Sequence, residues 1–172
     1  VCIDAGHQEN GRFVNEPIGP GLTGSTSGKG GMAQGTKTNR RESIVCLEIG
    51  MLLRDELLRQ GANVVMTRED QTTFHTNIER CEIAEAGGAQ IMLRLHCNNS
   101  SNRSKRGIQV YGPLNSDYAK AVADADTYRE MGQKLLDAMK TRVGMTLANS
   151  TGMVRLNDNY VGNNWAKMMC FL

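Results

Sequence analysis

The sequence predicts one α/β domain: a mostly parallel or mixed open sheet covered by helices on both faces. Two observations carry this expectation. Short apolar runs alternate with segments of helical periodicity, an order that calls for crossover connections between parallel strands. In addition, 172 residues with 40% apolar and 22% charged side chains fit a single domain with one sizeable core.

The elements follow in chain order. Val1 to Ile3 is a short apolar run ending in Asp4-Ala5-Gly6, which reads as a buried strand entering a tight turn. Glu9 to Thr38 reads as a long loop, with eight glycines between Gly11 and Gly35, and suggests a flap. Arg40 to Gln60 is predicted as a helix: Val45, Ile49, Leu52, Leu53 and Leu57 recur at helical spacing, and Gly61 supplies the stop. Ala62 to Thr67 is a strand, and Asn77 to Ala86 a second helix closed by Gly87-Gly88. Gln90 to Cys97 and Gly107 to Tyr111 are further strands. A helical segment spans Ser116 to about Val143, with a break near Asp124 to Thr127, and Met168 to Leu172 starts a last apolar strand.

Bulk properties narrow the function. A net charge of +2 gives no strong field for nucleic acid, and the one local basic run, Arg103, Lys105 and Arg106, reads as a solvated loop. No apolar stretch approaches the ~20 residues of a membrane helix. The chain opens on Val1, so a natural start and any export signal are expected to lie outside it. Cys2, Cys46, Cys81, Cys97 and Cys170 show no metal-binding spacing and sit in apolar runs, where free cysteine packs as a small hydrophobe.

Of three histidines, His7 follows the first strand and His96 ends the third. Ligands gather at the carboxyl ends of strands in open α/β sheets, so both stand where a metal could bind. His75, in a polar loop, has no such placement. Glu42 is the best placed acidic residue, although Asn39-Arg40-Arg41-Glu42 also reads as a capping box, and the spacing alone favours the cap. Gly24 to Gly30 lacks the spacing of a phosphate loop, and no nucleophile elbow is present.

These segments together resemble the zinc-dependent N-acetylmuramoyl-L-alanine amidases of the amidase-3 type. Ile3-Asp4-Ala5-Gly6-His7 is similar to the family's opening Asp-Pro-Gly-His turn, with alanine for proline. Glu42, with Leu47 and Ile49, matches the family's helix-start glutamate, and Thr67-Arg68-Glu69-Asp70 its Thr-Arg-x-x-Asp, one residue shorter. Arg80, Ile83 and Ala84 match the next helix. Leu95-His96-Cys97-Asn98 matches the second histidine segment, and Gly107 to Tyr111 the Gly-x-x-x-Tyr strand. Arg94 and Glu85 depart from the small or amide residues usual there and are expected to alter the cleft rim.

The resemblance implies a zinc ion held by His7, Glu42 and His96, and hydrolysis of the amide joining muramic acid to L-alanine in peptidoglycan. It implies peptidoglycan as partner, a monomer, and action outside the cell at the wall. The family's general base is a glutamate in the last strand, which falls two positions past Leu172, so residues 1–172 are expected to be a catalytic domain shortened at both ends. A non-catalytic relative that binds cell-wall fragments is the alternative. An open-sheet zinc carboxypeptidase would need Arg94 as its substrate-carboxylate arginine.

Overall fold

Strand β1 (Cys2–Ala5) has all four residues buried and forms the inner rail of a parallel sheet. The computed structural model describes residues 1–9, 14–27, 32–112, 125–148, 152–155 and 168–171. Four strands stand in the order β4 (Val65–Met66), β1, β5 (Ile91–Leu95), β8 (Met169–Phe171), every pairing parallel. Helices α1 (Glu42–Arg59) and α2 (Asn77–Ala86) are the crossovers joining β1 to β4 and β4 to β5. A second parallel pair, β6 (Val110–Gly112) with β7 (Met153–Arg155), lies under helix α3 (Ala125–Val143). β7 was not anticipated, and Ser116 to Asp124 of the expected helix lie outside the described residues.

The two faces of the sheet are separately filled, as the alternation of strand residues requires. On one face Cys2 and Met92 pack with Cys81 and Ala84 of α2 and with Met168. On the other, Ile91 and Leu93 meet Tyr128 and Leu136 of α3 together with Ile108 and Val110. α1 covers β1 on that second face: a Cβ added at Gly50 would stand 3.4 Å from Ile3 Cγ2 and 3.6 Å from Ala5 Cβ. The α/β expectation therefore holds, with helices on both faces.

The buried stripe of α1 differs from the expected one. Ser43, Cys46 and Gly50 are buried, whereas Ile49 and Leu52 are 49% and 72% exposed. Small residues set this choice, because only they let the helix axis come close to β1. Gly61, at φ +83, ends α1 as expected. α2 begins at Thr76 with a full capping box to Glu79.

The long loop is also not structureless. β2 (Asn15–Pro17) and β3 (Ser25–Ser27) form an antiparallel hairpin. Buried Glu16 pins it to the start of α2, accepting from the Ile78 amide and Asn77 Nδ2, each at 2.8 Å. The free amides of a helix N-terminus attract a carboxylate, and a glycine-rich composition does not reveal that anchor.

Candidate metal centre

Three elements bring one side chain each to the carboxyl edge of the sheet. Ala5 pairs with Leu95, so the chain leaves β1 and β5 at the same level. His7 follows β1 through Gly6, and His96 follows Leu95 directly. Glu42 is the first residue of α1. One ligand atom from each of His7, Glu42 and His96 lies within 4.8 Å of the others, and the two imidazole rings meet edge to face with centroids 4.8 Å apart.

Asn39 does not cap α1: it has φ +55, the N-cap position is Arg41, and no side chain caps there. The capping reading of Glu42 is thereby corrected. Its carboxylate is turned to the histidines instead, with Oε2 3.3 Å from His7 Nε2 and Oε1 3.0 Å from His96 Nδ1. Backbone amides hold it from behind, Ala33 N–H to Oε2 at 2.9 Å and Cys97 N–H to Oε1 at 2.7 Å. Burial pushes the Glu42 carboxyl up, but the hydrogen bonds to His7, His96, Ala33 and Cys97 outweigh it and hold the group well below the usual carboxylate range. The glutamate side chain is 4% exposed and the histidines 20% and 38%, so the trio opens to solvent on its imidazole side.

The turn that carries His7 is fixed by two arginines. His7 adopts φ +58, a left-handed conformation that costs a non-glycine residue about 1–3 kcal/mol and needs support. Arg68 donates to the carbonyls of Ala5 (2.8 Å), Gly6 (2.9 Å) and Ser43 (2.8 Å). Arg80 donates to the carbonyls of Ala5 (3.0 Å) and His7 (3.2 Å) and to Gln8 Oε1. Burial lowers the Arg68 guanidinium to about 10, with the charge of Arg80 adding to the effect.

Beneath the turn, fully buried Asp4 accepts from Thr67 Oγ1 at 2.6 Å, from Arg80 and from Arg94. Burial raises its carboxyl, yet Arg94 and Arg80 overcome this and hold it far below the usual range. Arg94 therefore lies 8% exposed inside the domain, bound to Asp4 and to Asn77 Oδ1. It is not on the cleft rim, and it cannot serve as the substrate-carboxylate arginine of a carboxypeptidase. Glu85 is exposed on α2.

His75 stands outside the trio and is half-buried. Cys2, Cys46 and Cys81 are buried and unpaired by disulfide, as expected of packing residues; Cys170 falls outside the side chains described. Cys97 lies against Cys46, and the hydrogen bond between them outweighs burial and lowers its thiol while raising that of Cys46.

Fold and site together define an open-sheet α/β protein with two imidazoles and one carboxylate at the strand edge, a donor set suited to a divalent metal. The profile of the N-acetylmuramoyl-L-alanine amidase family, Amidase_3, matches residues 1–172, and the chain belongs to that family. It is thus an amidase, an amide hydrolase of the bacterial cell wall. Among solved structures it is similar to the apo N-acetylmuramyl-L-alanine amidase Ami1 of Mycobacterium abscessus, at 19% identity and a TM-score of 0.82, covering 99% of this chain and 80% of that one. The catalytic domain of CwlV from Bacillus (Paenibacillus) polymyxa gives 22% identity and a TM-score of 0.63, over 99% and 76% of the two chains. AmiC2 of Nostoc punctiforme gives 23% and 0.62, over 99% and 75%. At these identities the likeness speaks to fold alone. No curated protein matches the sequence.

Among the residues that sequence reasoning left without a role, Asp4, Arg68 and Arg80 prove to position the site. The signal was present: charged residues embedded in or beside apolar strands must be paired when buried.

Proposed function

We propose that the protein hydrolyses the amide between the lactyl group of N-acetylmuramic acid and the L-alanine of the stem peptide, with zinc held by His7, Glu42 and His96. The convergence of those three donors at one strand edge carries this reading. The donor set fits the ion: the carboxylate is kept ionised by its neighbours, and the imidazoles face the open side. Zinc in such a site supplies Lewis acidity, activating water near neutral pH and polarising the scissile carbonyl.

The chain's own residues prepare that chemistry. The Ala33 and Cys97 amides lock the Glu42 carboxylate, so it loses little freedom on binding a cation. Arg68 and Arg80 fix the backbone from Ala5 to His7, which sets where the first imidazole can stand. The exposed His96 edge leaves an approach for a polymeric substrate at the cell wall. β8 runs parallel to β5, with Phe171 level with Leu93, so its backbone leads toward this same edge.

The test is metal content and product chemistry together. Purified protein should carry one zinc per chain by mass spectrometry, and Glu42→Gln should lose most of it while keeping its circular dichroism. Chelation should stop the release of free L-alanine amino termini from peptidoglycan, and zinc should restore it. Full zinc retention by Glu42→Gln would remove Glu42 from the ligand set.

A further inference from the structure

The two loops that carry metal-site residues also enclose a polar cleft of about 860 Å³, within the size range of ligand sites. One wall is the segment containing Thr36 and Lys37, which leads into Glu42. The other begins at Asn98, two residues past His96, and runs through the Arg103 to Gly107 turn. Lys37, Arg103, Lys105 and Arg106 all line this cleft, and no lining residue among those described is acidic. All four are exposed, and none forms an ion pair with another described residue. The basic run is thus solvated, as its sequence suggests, but it faces a cavity and is joined there by a distant lysine.

This concentration stands out because the whole chain carries a net charge of only +2. Four cations around one cavity create a local positive field that attracts anions of small size. The floor is built of hydrogen-bonding groups held in place: Asn98 Nδ2 donates to Gln109 Oε1 and to the Tyr111 hydroxyl, both at 3.1 Å. Fixed amides of this kind suit the peptide groups of an extended ligand. None of the lining residues is aromatic, so the stacking platform that single-stranded nucleic acid uses is missing.

From this we infer that the cleft is a specificity site for the stem peptide, selecting stems whose glutamyl unit keeps a free carboxylate over stems in which it is amidated. The inference rests on the amidase reading above, since it takes the cleft to receive the peptide on the L-alanine side of the scissile bond. Lys37, Arg103 and Lys105 act by ion pairing with that carboxylate, and Asn98 and Gln109 by hydrogen bonding along the backbone. An amidated stem keeps every hydrogen bond but loses the ion pairing.

The experiment measures binding, so it does not depend on turnover. The probes are two synthetic peptides, L-alanyl-γ-D-glutamyl-L-lysine and its counterpart with D-isoglutamine, titrated calorimetrically into the zinc-loaded protein. Neither contains the scissile bond. The free acid should bind about 10-fold more tightly at low salt, as two or three exposed ion pairs would give, and the preference should shrink as salt rises. The combined variant Lys37→Met, Arg103→Gln, Lys105→Gln should erase the preference while holding zinc as before, and Lys37→Arg alone should preserve it. Equal affinity for the two peptides in the unaltered protein would overturn the inference. So would a preference that survives the combined variant. Zinc content and the release of free L-alanine amino termini are measured separately, so a failure of the amidase reading shows there, whereas a failure of this inference alone leaves both intact and shows only in the peptide comparison.

Discussion

At the scale of the residue, Gly6 shows how little room the site leaves. A Cβ at this position would stand 2.4 Å from the Leu95 carbonyl oxygen and 2.6 and 2.8 Å from the His96 ring atoms Cε1 and Nδ1. The Leu95 oxygen belongs to the strand and accepts from the Gly6 amide at 3.0 Å, so it cannot move far. The imidazole must give way, and the turn that carries Gly6 must shift to clear the oxygen. We therefore expect Gly6→Ala to leave the sheet folded while weakening zinc binding by about 10- to 100-fold, the range seen when a supporting contact of a metal site is lost. A competition titration with a chromophoric chelator measures this. Zinc affinity equal to that of the unaltered protein would show that the close approach is dispensable. Glu42 makes the complementary point about legibility. Its sequence neighbours satisfied a capping pattern, yet Asn39 turns away at φ +55 and the carboxylate reaches two histidines far along the chain. Local spacing could not decide between those partners, because both need a carboxylate at the start of a helix.

At the scale of the element, the β2–β3 hairpin changes how the glycine-rich segment is to be understood. A flap that merely covers a cleft would cost little stability when altered. Here a buried glutamate joins the hairpin to the first turn of α2. Glu16→Ala would leave the Ile78 amide and the Asn77 side chain without their acceptor, a loss of about 2 kcal/mol. The expected result is a lower urea midpoint with an unchanged slope, and faster hydrogen exchange at Ile78. A midpoint equal to that of the unaltered protein would restore the view of a loosely attached insertion. The same scale explains why α1 was only partly legible. Its limits, Glu42–Arg59, fall within two residues of the expected Arg40 to Gln60. The face it buries differs from the expected one because its close approach to β1 is at Gly50, with Ser43 and Cys46 buried on the same helix, all small residues that the spacing of large apolar side chains passes over.

At the scale of the whole molecule, Asp4 joins three elements and the segment after β4 in one buried network. Its oxygens receive Thr67 beyond β4, Arg80 of α2 and Arg94 of β5, while Asp4 itself lies in β1. Removing the carboxylate's charge leaves two arginines, 4% and 8% exposed, without their counter-ion. Asp4→Asn should accordingly cost about 3–5 kcal/mol, the penalty of breaking a buried pair by taking one partner. The pH dependence has a definite sign. The folded-state carboxyl lies below its unfolded value of about 3.9, so its contribution is complete above that pH and is lost as the pH falls toward the folded value. Urea midpoints should hold between pH 5 and 7 as far as Asp4 is concerned and decline below about pH 4. Asp4→Asn should flatten that acid limb, and an identical limb in the two proteins would show that other carboxylates govern it.

What the sequence determined by itself was the periodic part of the structure and the order of its motifs. Alternating strand and helix patterns are local, and they are enough to fix a parallel sheet with crossover helices and to set His7 and His96 at strand ends. Tertiary structure decided everything that depends on contacts across long separations. It turned Glu42 from a cap into a partner of both histidines. It buried Arg94 against Asp4, and it set Lys37 across a cleft from Arg103 and Lys105. The reason is physical: a charged side chain is drawn to whichever partner the fold brings near, and in a burial-driven fold that partner is seldom its neighbour in sequence.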